Sequence, residues 1–174
     1  MSPEEFTDHY REHLPALARF VARRVQPQQV EDVCSDIFLI AWQKRQQAPA
    51  GFELAWLYSI GGHVISNLRR KDQTASKLVA VLSVPHFAPS AESLALADVS
   101  LGAAWDQLKK SEQQVLALVA LDGLSVSEAA LALGVTANAV SVRLNRARKH
   151  LSELLTVSES PVRNHNLKTE TNHE

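Results

Sequence analysis

Apolar residues recur along this chain at spacings of three and four, and no segment sustains a period-2 alternation. That is the signature of amphipathic helices, not of half-buried strands. Phe6, Tyr10, Leu14, Leu17 and Val21 fall on one helical stripe, in which Pro15 predicts a kink or a break into two helices. Val30, Val33, Ile37, Ile40 and Ala41 form a second stripe, flanked by Phe38 and Trp42. "QQAPAGFE" (46–53) reads as a loop from its Pro and Gly. Leu54, Leu57, Ile60, Val64 and Leu68 form a third stripe, which runs into the basic triplet Arg69-Arg70-Lys71.

The pattern then lapses. Residues 72–100 hold two prolines and many Ala and Ser residues, with apolar patches too short to build a core. They read as a linker with one or two helical turns. Periodicity returns near Leu101. Ser111 with Gln114 resembles a capping box opening "EQQVLALVAL", which Asp122-Gly123 stops. Ser125 with Glu128 is a second capping box, for a helix ending before Gly134. Thr136 is the expected N-cap of a last helix running to about Leu155. The tail 156–174 is polar and aperiodic, and is expected to be disordered. The prediction is an all-α chain of two small helical domains, 1–71 and 101–155, joined by a flexible linker, 72–100.

Composition narrows the function classes. With 45% hydrophobic and 21% charged residues, the chain is of the soluble globular kind. Its formal net charge is −1, so any nucleic-acid function must rest on local basic patches. The single cysteine, Cys34, excludes an internal disulfide and a Cys-rich zinc site, and reads as a small core residue. No apolar run approaches the roughly 18 residues of a membrane span. The N-terminus is charged from its fourth residue and lacks an apolar signal core. A cytoplasmic protein without membrane insertion is expected.

The stretch 124–151, "LSVSEAALALGVTANAVSVRLNRARKHL", has the parts of a helix-turn-helix. Gly134 stands at the turn, where a positive φ is cheap only for Gly. Ala129, Ala130 and Leu133 should face inward, and the small side chains allow close approach of the second helix. Val140, Leu144, Ala147 and Leu151 give that helix a buried stripe. Thr136, Asn138, Ser141, Val142, Arg143, Asn145, Arg146 and Lys149 are left on or near its outer side. In this motif the N-terminal residues of the second helix meet base edges, while Arg and Lys neutralise phosphates. A solvated amphipathic hairpin is the bland alternative. The coincidence of capping box, glycine turn, buried stripe and one-sided charge favours DNA binding.

The N-terminal half adds two features. Glu31, Asp32 and Asp36 lie near a helix start, where the helix dipole favours carboxylates. Asp32 and Asp36 are four apart, so they also offer one acidic face to a basic partner. Trp42, Phe52, Trp56 and Tyr58 gather around the loop and the next helix. Most such residues are core, yet aromatics beside Arg69-Arg70-Lys71 also suit single-stranded nucleic acid.

Together "VEDVCSDIFLIAW", "AWLYSIGGHVISNLRR" and "LKKSEQQVLALVALDGLSVSEAALALGVTANAVSVRLNRARKHL" resemble an extracytoplasmic-function (ECF) sigma factor of the sigma-70 family, in order and spacing, from about Phe6 to Leu155. The resemblance implies that the N-terminal domain binds the β′ clamp helices of core RNA polymerase, with Glu31, Asp32 and Asp36 in that surface. It implies that the loop 46–53 captures a flipped base of the −10 element. Phe52, Trp56, His63, Asn67, Arg69 and Arg70 would handle the melted strand. Thr136, Asn138, Ser141, Val142, Arg143, Asn145, Arg146 and Lys149 would bind the duplex −35 element, and the C-terminal domain would touch the β flap. An anti-sigma factor is the further partner it implies; promoter DNA is the substrate of recognition, and no catalysis and no cofactor is expected. The chain departs from the family at Gly61-Gly62, in place of an Ala-Arg-like pair, and at Ser141, in place of a long basic residue. Each interior Gly costs a helix roughly 1 kcal/mol relative to Ala, which predicts a looser third helix.

Other readings differ in what they ask of the first 70 residues. A one-component regulator would need them to bind a ligand or dimerise, and a sigma-like decoy would bind polymerase without supporting transcription. His9-Tyr10-Arg11-Glu12-His13 spells H-x-x-E-H, a zinc-peptidase pattern. With no third ligand segment evident and Pro15 close behind, it reads as chance, and no metal is expected.

Overall fold

The computed structural model describes residues 1–74, 87–95 and 98–158. These residues form eight α-helices: α1 (Pro3–Ala22), α2 (Val30–Gln43), α3 (Glu53–Thr74), α4 (Ala91–Ala95), α5 (Val99–Gln107), α6 (Lys110–Leu116), α7 (Val126–Leu133) and α8 (Ala137–Ser158). The all-α expectation holds.

Helix α1 opens on a capping box that the stripe did not reveal. The Ser2 hydroxyl accepts from the Glu5 N–H at 3.2 Å, and the Glu5 carboxylate accepts from the Ser2 N–H at 2.6 Å. The helix runs through Pro15 without the expected break. Pro15 is exposed, so the Arg11 carbonyl that loses its helical donor can turn to water instead. The buried residues of α1 are Leu17, Phe20 and Val21. Phe20, off the expected stripe, stacks on Tyr58 of α3 with ring centroids 4.3 Å apart. Helix α2 buries Val33, Cys34, Ile37, Phe38 and Ala41, so Cys34 is a core thiol. Burial pushes its pKa up.

The two interior glycines of α3 are sites of close approach. Both are buried within an unbroken helix, contrary to the loosening expected from their propensity. A Cβ on Gly61 would stand 3.0 Å from the Phe20 ring and 3.2 Å from Ile37; one on Gly62 would stand 2.6 Å from the Phe87 ring. At Gly62 the propensity cost is offset by ring packing that a Cβ would displace, and at Gly61 by contacts so tight that Phe20 and Ile37 would have to give by a few tenths of an ångström.

Phe87, Ala88 and Leu94 are buried in the same continuous apolar core as residues of both halves. Residues 87–95, expected to be linker with one or two helical turns, thus hold the one-turn helix α4 and also add side chains to this core. They cannot build a core of their own, but they fill space that α3 leaves open. Residues 75–86, the rest of the expected linker, lie outside the described residues. Trp105 of α5 donates its indole N–H to the Pro89 carbonyl at 3.1 Å. Gly102 lets α5 press against α4, where a Cβ would meet Ala95 at 2.6 Å and the Ala91 carbonyl at 2.8 Å.

Helix α6 starts two residues earlier than expected. Its cap is Lys109, whose N–H donates to the Glu112 carboxylate at 2.9 Å, and not Ser111. A π turn over Ala117–Leu121 follows and ends at Asp122. There the two halves are locked together. Arg24, at the end of α1, donates to both carboxylate oxygens of Asp122, to the Phe20 carbonyl at 2.7 Å and twice to the Phe87 carbonyl. Its guanidinium also lies over the Phe20 ring, 3.9 Å from the centroid. Arg23 adds a bond to Asp122 at 2.9 Å. The side chains of Arg24 and Asp122 are fully buried. Helix α7 also packs on α3 across the same boundary.

Candidate nucleic-acid interface

The helix-turn-helix forms as the sequence predicts. Ser125 and Glu128 exchange side-chain-to-backbone bonds at 2.7 and 3.2 Å, which fixes the start of α7. Gly134 ends it at φ +66°, and the Val135 N–H reaches back to the Ala130 carbonyl at 3.0 Å. Thr136 caps α8, its hydroxyl accepting from the Ala139 N–H at 3.1 Å. Ala129, Ala130 and Ala132 are buried, with Leu133 half-buried. Small residues there let α8 cross closely, held by Val140, Leu144 and Ala147.

That packing decides what α8 offers. Asn138, Val142, Asn145, Arg146 and Lys149 are exposed. They lie opposite the buried stripe, as 100° per residue requires. Ser141 and Arg143 sit on its flanks, half-buried, and Thr136 is engaged as the cap. Lys149 stands 3.9 Å from Glu153, an exposed pair of little energetic weight. Arg148 is exposed too, beside a groove formed with Leu151 and Leu155. The sequence reading passed over it, although it belongs to the same basic run.

On α3 the residues Phe52, Trp56, His63, Asn67 and Arg70 follow spacings of four, seven, four and three, so they share one face. Phe52, just before the helix, is 36% exposed, and His63, Asn67 and Arg70 are exposed; Trp56 is half-buried. Arg70 donates to the Asn67 side-chain oxygen at 3.1 Å. Arg69 stands apart from this face. It is half-buried and donates to the Arg24 carbonyl at 2.8 Å, and burial followed by the nearby Arg24 charge pulls its pKa down. Gly51, at φ +79°, makes the turn that sets Phe52 at the mouth of the loop.

Glu31, Asp32 and Asp36 are all exposed on α2. Beside them lies Leu39, 56% exposed, an apolar residue that the sequence reading passed over. Its signal is that it stands off the buried stripe of its own helix. Asp36 and Leu39 border an open groove whose other wall is Val64, Asn67 and Lys71 of α3. Acidic and apolar groups thus share one strip of surface.

Among the described residues no helix is long and apolar enough to cross a membrane. The family described as Sigma-70 region 2 matches residues 9–74, and Sigma-70, region 4 matches residues 98–151. The chain is 30% identical over 142 residues to the RNA polymerase sigma factor NccH of Alcaligenes xylosoxydans xylosoxydans, spanning 75% of each. It is 31% identical over 139 residues to the RNA polymerase sigma factor CnrH of Cupriavidus metallidurans, spanning 72% of this chain and 73% of CnrH. CnrH in complex with the cytosolic domain of CnrY has the same fold, with a TM-score of 0.63 at 29% identity over 91% of this chain and 92% of that one. The sigma factor RpoE of Bartonella quintana, solved with the anti-sigma factor NepR, also scores 0.63, at 27% identity over 90% of this chain and 99% of that one. The chain belongs to the sigma-70 family of RNA polymerase sigma factors, in its extracytoplasmic-function type.

Proposed function

We propose that this sigma factor divides promoter reading between its two halves, with residues 1–71 binding core polymerase and the −10 element and residues 101–155 binding the −35 element. The observation that carries the reading is the presence, in one chain, of two exposed nucleic-acid faces of different character. The face of α8 is a helix of the size and shape that a major groove admits, with Asn138 and Asn145 as base-edge donors and acceptors and Arg146 and Lys149 as phosphate contacts. The α3 face runs from aromatic Phe52 and Trp56 to polar Asn67 and Arg70, the order needed to hold an unstacked base beside its backbone. Capturing that base offsets an unstacking cost of a few kcal/mol. Melting is thus driven by binding, without covalent chemistry. Glu31, Asp32, Asp36 and Leu39 form the surface for the β′ clamp helices, and the C-terminal half also meets the β flap. Attachment to polymerase raises the effective concentration of both readers, which suits a chain of net charge −1.

Arg69, bound to the Arg24 carbonyl, serves the fold more than the strand. CnrH was solved with the cytosolic domain of CnrY, and RpoE of Bartonella quintana with the anti-sigma factor NepR. That supports an anti-sigma partner here. A cytoplasmic location follows from the polymerase partner.

The test is run-off transcription with core polymerase on a library of genomic fragments. Initiation at a discrete set of promoters is expected; binding to polymerase without initiation would leave the decoy reading in its place. In the same assay Arg146→Ala should weaken promoter binding and flatten its dependence on salt by about one unit of log–log slope. An unchanged slope would remove Arg146 from the phosphate contacts.

A further inference from the structure

The H-x-x-E-H segment, which the sequence reading set aside, has a three-dimensional setting that the promoter mechanism does not use. Because α1 continues through Pro15, His9 and His13 are one full turn apart on an intact helix. Their rings stack with centroids 5.6 Å apart. His9 Nδ1 and His13 Nε2 are both sealed from solvent and have no hydrogen-bond partner among the described residues. Buried polar atoms of native proteins are almost always satisfied, so two orphaned ring nitrogens side by side point to an absent ligand. One nitrogen of each ring and a carboxylate oxygen of Glu12 lie within 4.8 Å of one another.

The missing second segment is present as well. His9, His13 and Glu53 line one small cavity whose other walls are mainly apolar and aromatic, among them Phe6, Phe38, Trp56 and Leu57; its free space of about 10 Å³ is that of a single water-sized sphere, and Glu12 lies outside it. Glu53 comes from the start of α3. Its carboxylate accepts from the Gly51 N–H at 3.0 Å, which fixes it at the cavity that the histidine pair lines.

We propose that His9, His13 and Glu12 form a binding site for a first-row divalent transition ion, zinc in the first instance, with Glu53 as the carboxylate facing it from α3. Two imidazoles and one carboxylate are the donor set of open tetrahedral zinc sites, and imidazole suits zinc and nickel where calcium and magnesium prefer all-oxygen shells. Bonds of about 2.0–2.1 Å at tetrahedral angles place ligand atoms roughly 3.4 Å apart. The set must therefore contract, and the exposed Glu12 side chain is free to make that movement.

The experiment is calorimetric titration of the full chain, carrying no affinity tag, with zinc chloride and separately with nickel chloride at neutral pH. One ion per chain is expected, with binding weakened about tenfold or more in His9→Gln and in His13→Gln. His150→Gln is the control, because His150 pairs with Glu112 at 3.1 Å, away from the His9–His13 pair. It should bind as the parent does. Zinc should raise the Tm of the parent and leave that of His13→Gln unmoved, and circular dichroism of each variant confirms its helices. Absence of binding to the folded parent, or equal binding by a His9→Gln/His13→Gln double variant, overturns the proposal.

Discussion

Replacing Asp122 with Ala is expected to lower the free energy of unfolding by about 3–5 kcal/mol, the usual cost of removing one partner from a buried ion pair. The loss does not come from the attraction alone. Arg24 would keep its bonds to the Phe20 and Phe87 carbonyls but would be left as a buried cation without a counter-charge. Burial, the largest influence on it, already pulls the guanidinium's pKa down, and Asp122 opposes that pull. Urea denaturation would show the change as a shifted midpoint. The double variant Arg24→Met/Asp122→Leu is expected to be more stable than Asp122→Ala, since an apolar pair of similar volume removes the desolvation problem from both sides. A midpoint within error of the parent for Asp122→Ala would mean that the two halves do not hold each other in this way.

The second large effect is functional. Asp32→Arg/Asp36→Arg should weaken binding to core polymerase by well over tenfold while leaving stability within about 0.5 kcal/mol, because both side chains are exposed. Reversal exchanges two attractive contacts for two repulsive ones at the same place, and like-charge juxtaposition costs several kcal/mol at an interface. Competition against the housekeeping sigma factor for core polymerase measures it, with promoter-fragment binding by the free chain as the control. Equal competition by the variant would remove this face of α2 from the polymerase surface. Leu39, exposed between these acids and the α3 groove, should then be tested for the apolar share of the contact.

Both predictions rest on features that differ in how far the chain itself announced them. Asp32 and Asp36 could be placed from spacing, because a helix puts i and i+4 on one side whatever it packs against. The pairing of Arg24 with Asp122 could not, since 98 residues separate them and nothing local in either segment asks for the other. Pro15 misled for a related reason: propensity foretold a break, and packing of Leu17, Phe20 and Val21 held the helix together. The Gly61-Gly62 pair did the same, its cost visible locally and its compensation by Phe20, Ile37 and Phe87 only in space.

The helical class, the helix-turn-helix with its caps at Ser125, Gly134 and Thr136, and the outward residues Asn138, Asn145 and Arg146 were determined by the sequence alone. Each depends on contacts within a few residues, and local chemistry specifies those. Tertiary structure decided the rest: which parts of residues 72–100 join the core, that Arg69 turns inward while Arg70 does not, that Leu39 is left exposed, and that Glu53 comes to face His9 and His13. All four depend on which helices meet. That is set by the summed burial of side chains distant along the chain, and no local pattern records it.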